Sequence, residues 1–303
     1  MCSSKEPDGQ LHKEDEGIIY KDGIGMTDYK LIALDLDGTA LKDGGWLSDV
    51  TRKVISNAVL AGFLVVPTTG RTLTEIPDEI LAIPGIRYAI VSNGASIMDL
   101  ENDEEIYSDL ISLDSAKILF DLLYAQNVAF QAYSEGVSFC DERFMAEVVG
   151  HFGGRDKNYY WLAERIRFVK NLPAYFEKAK RHIEKITVNR IIGEDRIMIE
   201  QALAEISTVV TTSSDPRNME INSATANKGS ALLELSRGLG ILPEHVMAIG
   251  DGNNDIEMLS VAGFSVAMGN AEPGAKQVAS YVTVSNNDDG VVVVFRKFLG
   301  IEI

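Results

Sequence analysis

The stretch that decides the fold is LIALDLDGTAL, residues 31–41, in which a short apolar run ends in two aspartates separated by one leucine. Residues 31–35 are typical of a buried strand, because an apolar run of this length is followed at once by a turn signal at Gly38. Ligands of an open parallel sheet bind just beyond the carboxyl ends of its strands. Asp35 and Asp37 are therefore candidates for a functional site.

Further strands and helices alternate along both ends of the chain. FLVVP at 63–67 and YAIVS at 88–92 are strand candidates, and helices are predicted after Ser48 and over residues 72–82. Beyond residue 213 the alternation of strands and helices resumes, with NKGSALLELSRGLG as a helix, HVMAIG as a strand and NNDIEMLSVAG as a helix. This alternation predicts an α/β fold, a Rossmann-like doubly wound parallel sheet.

The middle of the chain has a different pattern, which predicts an inserted domain. VAFQAYSEGVSFCDE at 128–142 is typical of a hairpin that turns at Ser134-Glu135-Gly136. We predict helices over 113–126, 142–151 and 194–205, and strands in KITVNRIIG and STVVTTS. The predicted organisation is a polar extension at 1–26, a core domain formed by 27–103 and 214–303, and an α+β cap domain at 104–213.

Composition and charge favour a globular protein that handles small ligands. Of the 303 residues 46% are hydrophobic, and 28 basic against 45 acidic residues give a net charge of −17. This charge repels nucleic acids and anionic membrane surfaces, so we expect neither as a partner. An anionic ligand would need a metal ion or a lysine to offset the field locally.

The expected location is the cytoplasm. Cys2 and Cys140 form no Cys-x-x-Cys pair or Cys/His cluster, so both are expected to be free thiols in a reducing cytosol. The amino-terminal segment lacks an apolar core of signal-peptide length, and no apolar stretch approaches the roughly 18 residues of a membrane span. The sequence has no G-x-G-x-x-G after the first strand and no G-x-x-x-x-G-K-[ST], which disfavours nicotinamide and nucleotide-triphosphate sites of those kinds.

Polar residues follow four of the predicted strands, where a ligand of a parallel sheet would lie. They are Asp35 and Asp37 after the first strand, Thr68, Thr69 and Arg71 after the second, Ser92 and Asn93 after the third, and Asp251, Asn254 and Asp255 after a later one. Acidic residues are also common turn formers, so the DLDG segment alone leaves a purely structural interpretation open. Two carboxylate clusters at separate strand ends of one sheet favour a functional site.

The carboxylates predict a magnesium site, because Mg²⁺ prefers hard oxygen ligands and takes only a few carboxylates. The predicted ligands are Asp35, Asp37 and Asp251, with Asp35 and Asp251 as the principal pair. A carboxylate can also act as a nucleophile in phosphoryl transfer. Asp35 would then attack, and Asp37 would give a proton to the leaving group and later take one from water. Gly38 would permit a turn sharp enough to bring the Asp37 carboxylate to the site.

Three residues are candidates for binding a phosphoryl group. Lys228 stands at the start of a predicted helix, where the ammonium and the helix N-terminus both favour an anion. Thr69 could add a hydroxyl hydrogen bond, and Gly70 permits close approach of the backbone. Taken alone, Lys228 could be an ordinary helix-start residue and Thr69 a turn residue. The prediction rests on their occurring together with the carboxylates.

Four motifs in sequence order connect these residues to a known family. LDLDGTAL, TTGR, NKG and GDGNNDIEML closely resemble the haloacid dehalogenase superfamily in its Cof-type branch, from about residue 30 to the C-terminus. AMGNA, with Lys276 seven residues after Gly269, looks like a further piece of the same pattern. The resemblance implies a Rossmann-like core with an inserted cap, and a magnesium-dependent phosphohydrolase that forms an aspartyl-phosphate.

The resemblance also implies a role for each matching residue. Asp35 would be the nucleophile, Asp37 the acid/base, Thr69 and Lys228 the phosphate ligands and Asp251 a magnesium ligand, while Asn254 and Asp255 would support the metal or the lysine. Arg71 and Asn93 are added as supporting residues because they lie in the same strand-end segments. The cap is expected to act as a lid that supplies specificity.

Three functions compete at this point. The first is a phosphatase of sugar phosphates or similar small phosphorylated metabolites, the second a phosphomutase of similar capped architecture, and the third a phosphate-binding protein without activity. The intact set Asp35, Asp37, Lys228 and Asp251 argues against the third. The sequence predicts neither the individual substrate nor the oligomeric state.

Overall fold

The computed structural model describes residues 29–153, 160–213 and 217–303, so the predicted extension at 1–26 lies outside the described residues. Its strands are β1 Leu31–Leu34, β2 Leu41–Lys42, β3 Trp46–Leu47, β4 Leu64–Pro67, β5 Tyr88–Val91, β6 Ser96–Asp99, β7 Glu104–Ser108, β8 Phe130–Ser134, β9 Val137–Asp141, β10 Arg167–Val169, β11 Lys185–Val188, β12 Val209–Thr212, β13 Met219–Ser223, β14 Val246–Gly250, β15 Phe264–Ala267 and β16 Tyr281–Val282. Its helices are α1 Asp49–Leu60, α2 Asp78–Leu81, α3 Leu113–Ala125, α4 Met145–Gly153, α5 Tyr160–Glu164, α6 Leu172–Ala179, α7 Gly193–Ala204, α8 Lys228–Gly238, α9 Ile256–Val261, α10 Pro273–Val278 and α11 Gly290–Leu299.

The core contains a five-stranded parallel sheet in the order β16-β15-β14-β1-β4. Central strand β1 pairs with β14 on one side and β4 on the other, so that Leu34 stands opposite both Ile249 and Pro67. Strand β5 approaches the β4 edge through a parallel bridge between Thr68 and Ile90. The helices pack in two groups, α1 with α11, and α9 with α8 and α10. The predicted Rossmann-like α/β core is confirmed.

Local signals explain where the first helices begin and end. Ser48 caps α1, since its side-chain oxygen accepts a hydrogen bond of 3.0 Å from the Thr51 N–H. The helix predicted over 72–82 is instead broken into a 3₁₀ turn at Leu73–Glu75 and the short α2. Pro77 between them has no N–H and cannot continue an α-helix.

Among residues 29–153, 160–213 and 217–303, none of the helices meets the length and hydropathy that a membrane-spanning helix requires.

The inserted unit has the predicted α+β architecture. Its six-stranded sheet has the order β10-β9-β8-β11-β13-β12, and every neighbouring pair except β9 and β10 is antiparallel. The predicted hairpin joins β8 to β9, with Glu135 and Gly136 in left-handed conformations. A separate apolar core, which includes the buried rings of Phe130, Phe139 and Phe176, lies within this unit.

Strand pairing moves the boundaries of the inserted unit from those predicted at 104 and 213. Strand β7 pairs with β6 on the core side, and β13 pairs with β11 and β12 in the sheet of the insertion. Asp109 still bonds to the core, through its N–H and the Ala95 carbonyl at 2.8 Å. We therefore define the inserted unit as residues 110–223. The bounds of 104 and 213 remain a prediction from the local alternation of apolar residues, which does not encode pairing between distant strands.

Candidate active site

The carboxyl ends of β1 and β14 bring three aspartates together. Asp35 follows β1, and its N–H donates to the Ile249 carbonyl in β14 at 3.0 Å. Asp251 follows β14, and Asp255 lies four residues further on. One carboxylate oxygen from each of Asp35, Asp251 and Asp255 falls within a group whose members are all within 4.8 Å of one another. Members of both predicted acidic clusters thus meet in space.

Lys228 is buried at the centre of this cluster. Its Nζ atom donates to Oδ1 of Asp35 at 2.7 Å and to Oδ1 of Asp255 at 2.6 Å. The residue begins α8, which Asn227 caps by accepting the Ser230 N–H at 2.8 Å. Burial alone would lower the pKa of Lys228, but the charges of Asp255 and Asp35 outweigh burial and raise it. The side chain is therefore a fixed cation.

The cluster carries more negative charge than Lys228 neutralises. Burial and then the charge of Asp255 raise the pKa of Asp35 well above its ordinary value, and the same two causes raise the pKa of Asp251 to about 7. Carboxylates in this situation are stabilised by a cation. Hard oxygen ligands at this spacing suit a divalent metal ion, so the residues present fit a magnesium site.

Asp255 is held by the protein on both oxygens. While Oδ1 accepts from Lys228, Oδ2 accepts the N–H groups of Asp251 and Gly252, each at 2.8 Å. Its carboxylate therefore orders the loop that carries Asp251 and orients the lysine. Asp255, predicted as a supporting residue, thus contacts both Lys228 and the loop of Asp251.

A tight turn places the loop after β1 against Asp251. Gly38 has a φ of +77°, and a Cβ at this position would collide with the Asp251 carboxylate. Thr39 donates its hydroxyl to Oδ1 of Asp251 at 3.0 Å. Asn270 donates to Oδ2 of Asp251 at 3.2 Å and to the Gly38 carbonyl at 2.8 Å. Asn270 belongs to the AMGNA segment, whose local pattern alone did not single it out.

The Asp37 carboxylate, predicted as a metal ligand, forms an ion pair with Arg71. Arg71 binds it in bidentate fashion, with Nε 2.7 Å from Oδ2 and a second guanidinium nitrogen 2.6 Å from Oδ1. Within the described residues the Asp37 carboxylate is not part of the three-aspartate group. The planar Arg71 fork competes for the same oxygens, because two parallel hydrogen bonds to a carboxylate are strong. Arg71 also donates to the Glu75 carbonyl at 2.8 Å.

The Thr69–Arg71 loop follows β4 and lies beside Asn93. The buried Thr69 hydroxyl oxygen accepts the Arg71 N–H at 3.1 Å, so its own proton can be donated elsewhere. A Cβ on Gly70 would lie 2.7 Å from Oδ1 of Asn93, which leaves room only for glycine. Within the described part of the chain the Gly70 N–H has no hydrogen-bond acceptor. This loop can offer a hydroxyl and an N–H to an anion.

Side chains of the inserted unit complete the surroundings, and the sequence analysis missed them. Asn93 donates through Nδ2 to Oε2 of Glu220 at 2.9 Å and to Oδ1 of Asn222 at 3.1 Å, and it accepts from Asn254 at 3.1 Å. Lys185 donates to the Gly70 carbonyl at 2.5 Å. The available signal was Lys185, a charged residue within the predicted strand KITVNRIIG, since buried charges are rare without a partner. No strand was predicted over β13, which carries Glu220 and Asn222.

An open cleft adjoins this cluster. It has a volume of about 420 Å³ and is lined on the core side by Asn93, Lys228 and Asn254, and on the other by β12 and Asn222. The site as a whole offers the buried Asp35 carboxylate bonded to the Lys228 ammonium, and the loop after the neighbouring strand β4 offers a hydroxyl and an N–H. Such groups can bind and transfer a phosphoryl group.

Comparisons with known proteins agree with this chemistry. The model of the haloacid dehalogenase-like hydrolase family matches residues 32–295. The chain is 32% identical over 274 residues to the 5-amino-6-(5-phospho-D-ribitylamino)uracil phosphatase of Bacillus subtilis, with 90% of this chain and 96% of that protein covered. Two solved structures are similar. A haloacid dehalogenase-like hydrolase from B. subtilis has a TM-score of 0.78 and 26% identity, with 88% of this chain and 99% of that one covered. A Thermotoga maritima protein has a TM-score of 0.73 and 27% identity, with 91% and 98% covered.

Proposed function

Since the chain belongs to the haloacid dehalogenase-like hydrolases, we propose that it is a magnesium-dependent phosphatase of small phosphorylated metabolites, with Asp35 as the nucleophile. The observation that carries the proposal is the contact of Lys228 with both Asp35 and Asp255, at 2.7 and 2.6 Å, in a buried cluster at the end of β1. A cation in this position fixes the orientation of the attacking carboxylate and attracts the phosphoryl group.

Two steps account for hydrolysis. In the first, an oxygen of Asp35 bonds to phosphorus while the bond from phosphorus to the leaving oxygen breaks, and Asp37 gives that oxygen a proton. In the second, water attacks the phosphorus of the aspartyl-phosphate, Asp37 takes the proton of the water, and the bond to Asp35 breaks. Both oxygens of Asp37 are bonded to Arg71, so Asp37 must release one of these bonds to exchange a proton.

The remaining residues hold the phosphoryl oxygens and the metal. Thr69 would donate its hydroxyl, Gly70 its N–H and Lys228 its ammonium to the phosphoryl oxygens. Asp35 and Asp251 would hold Mg²⁺, which when bound supplies positive charge to offset the carboxylates and the phosphoryl oxygens. Asn254 and Asp255 would keep the loop of Asp251 in place.

The inserted unit is the proposed source of substrate specificity. It lies over the Thr69–Arg71 loop through Lys185 and Glu220, and it lines the cleft beside Lys228. A lid of this kind would enclose small metabolites and exclude phosphoproteins and nucleic acids, in agreement with the net charge of −17. We propose the cytoplasm as the location, which suits the free thiol of Cys140.

The test is phosphate release from a panel of phosphorylated metabolites, assayed with Mg²⁺ and again with excess chelator. The panel should include sugar phosphates, p-nitrophenyl phosphate and 5-amino-6-(5-phospho-D-ribitylamino)uracil, for which a relative is named. We expect metal-dependent release of phosphate. Isomerisation of a sugar monophosphate that needs a bisphosphate and releases no phosphate would instead indicate a phosphomutase. Failure of every compound to react would contradict the proposal.

A further inference from the structure

Three consecutive carbonyl groups of the Thr69–Arg71 loop each accept a hydrogen bond. The Thr69 carbonyl accepts the Asn93 N–H at 3.0 Å, and the Arg71 carbonyl accepts the Ser92 N–H at 2.8 Å. The Gly70 carbonyl between them accepts from the ammonium of Lys185 at 2.5 Å. Of these three donors only Lys185 comes from the inserted unit. The loop therefore depends on a side chain that lies outside the core.

Lys185 orients the peptide group between Gly70 and Arg71, which in turn orients the Thr69 hydroxyl. The Gly70 carbonyl and the Arg71 N–H belong to one planar peptide, so a bond to the carbonyl also directs the N–H. That N–H donates to the Thr69 hydroxyl oxygen at 3.1 Å. Because the oxygen accepts there, the hydroxyl proton is free to point at a bound anion. A chain of hydrogen bonds thus runs from Lys185 to the donor proposed to bind phosphate.

Glu220 ties the same lysine to Asn93. Its Oε1 accepts from Lys185 at 2.9 Å, and its Oε2 accepts from Nδ2 of Asn93 at 2.9 Å. Lys185 and Glu220 lie on the neighbouring strands β11 and β13 and are only 3% and 5% exposed. A buried ion pair contributes little net stability compared with an apolar pair of similar volume. Its geometry here points to a role in holding the loop rather than in folding alone.

The segment that Glu220 contacts has a strained backbone. Ser92 and Asn93 have φ values of 52° and 59°, in the left-handed region that residues other than glycine seldom adopt. Such a conformation persists only where its surroundings fix it. The inserted unit supplies much of this support. Glu184 accepts the Ser92 hydroxyl at 2.6 Å, and Asn222 donates to the Ser92 carbonyl at 2.9 Å.

We propose that Lys185 and Glu220 are positioning residues, which act from the inserted unit to hold the Thr69–Arg71 loop and Asn93 in the arrangement that binds the phosphoryl group. The phosphate role of the loop rests on the function proposed above, but the mechanical coupling does not. Lys185 acts on the loop through the Gly70 carbonyl, and Glu220 acts through Lys185 and Asn93. Neither side chain needs to touch the substrate.

The experiment replaces both charges of the ion pair at once. In the variant Lys185→Met/Glu220→Gln, the remaining amide oxygen can still accept from Asn93, so the lost contact is the one to Gly70. The matched control is Gln131→Leu, because Gln131 is buried in the same sheet and bonds to Ser138 and Asn189 within the inserted unit. The control disturbs the inserted unit without touching the core.

The first measurement is hydrogen exchange of the Thr69 and Arg71 amides, which needs no catalysis. Both amides are hydrogen-bonded, Thr69 to the Ile90 carbonyl and Arg71 to the Thr69 hydroxyl. We expect exchange at these amides to accelerate about tenfold or more in the pair variant, since local opening governs exchange. The control should match the wild type there. Wild-type exchange in the pair variant, or equal acceleration in the control, would overturn the proposal.

The second measurement follows phosphate recognition. The inhibition constant of inorganic phosphate against p-nitrophenyl phosphate should rise, and kcat should fall by about tenfold to a hundredfold, as expected for a displaced binding group.

If wild-type protein hydrolyses no monoester while exchange responds as expected, the proposed function fails and the positioning role stands. If the double variant does not fold, Lys185→Met alone takes its place, because it also removes the contact to the Gly70 carbonyl, and unchanged exchange would overturn the proposal.

Discussion

The Nζ atom of Lys228 lies 2.7 Å from Oδ1 of Asp35, although 193 positions separate the two residues in sequence. The inserted unit accounts for most of that separation. Its two ends lie side by side, since Thr225 donates its hydroxyl to Asp109 at 2.6 Å. The chain therefore leaves the core and returns at one place, directly before α8 begins with Lys228. Lys228 thus lies near Asp35 because the chain re-enters the core close to where it left.

Replacement of this lysine should remove most of the activity. We expect Lys228→Met to lower kcat for p-nitrophenyl phosphate by about a hundredfold or more, because the lost cation faces the developing transition state. The variant should also lose about 3–5 kcal/mol in the free energy of unfolding, since Asp35 and Asp255 lose their buried partner. Lys53→Met, at an exposed position of α1, is the control and should change neither quantity. Unchanged kinetics in Lys228→Met would show that the residue only begins a helix and takes no part in catalysis.

Asp37→Asn should separate substrates by their leaving groups. An amide cannot donate the proton that an alkoxide leaving group needs, whereas a nitrophenolate leaves without one. We expect kcat/KM, which reports the first phosphoryl transfer, to fall by about 10²–10⁴-fold for a sugar phosphate and by much less for p-nitrophenyl phosphate. The comparison uses steady-state kinetics on both compounds. An equal loss on both would contradict the acid role.

Magnesium should stabilise the folded protein through Asp251. A ligand that binds only the folded state adds about 2.7 kcal/mol of stability at a concentration of about 100 times its Kd. We expect the Tm of the wild type to rise with Mg²⁺ in a calorimetric titration, and the rise to be lost in Asp251→Asn. Asp49→Asn, a change at the exposed start of α1, should keep it. A full magnesium response in Asp251→Asn would place the metal elsewhere.

Replacement of the inserted unit by a short Gly/Ser linker should remove discrimination among substrates. Because Asp109 and Thr225 are hydrogen-bonded, a short linker can join the two ends of residues 110–223. The truncated chain should hydrolyse p-nitrophenyl phosphate slowly and lose the parent's preference among sugar phosphates, since a lid that contacts the leaving group is gone. Circular dichroism establishes that it folds before rates are compared over one panel. A truncated protein that keeps the parent's rank order would show that specificity does not come from this unit.

The core and the acidic cluster were predictable because their signals are local. A short apolar run that ends in a carboxylate marks both β1 with Asp35 and β14 with Asp251, and neighbouring parallel strands must then share an edge. The cap of α1 at Ser48 is a signal of the same kind. Each of these inferences needs only a few consecutive residues.

Partners supplied by distant segments were not predictable. Lys185 and Gly70 are 115 positions apart, and no strand was predicted over the MEINS segment, which forms β13 and joins the sheet of the insertion. The bidentate contact of Arg71 with Asp37 is similar, because residue types alone do not show which of several nearby cations a carboxylate takes. Such contacts arise from packing between segments that are distant in sequence.

The central claim is that Asp35 carries the phosphoryl group, and trapping that group tests it most directly. The Asp37→Asn variant with p-nitrophenyl phosphate suits the experiment, because the aryl group leaves unaided while hydrolysis lacks its base. After acid quench within the first turnover, borohydride reduction converts an aspartyl-phosphate to homoserine, which peptide mass spectrometry locates. The account predicts stoichiometric labelling at Asp35 and none when Asp35→Asn is added. Labelling at another residue, or turnover with no labelled residue, would contradict it.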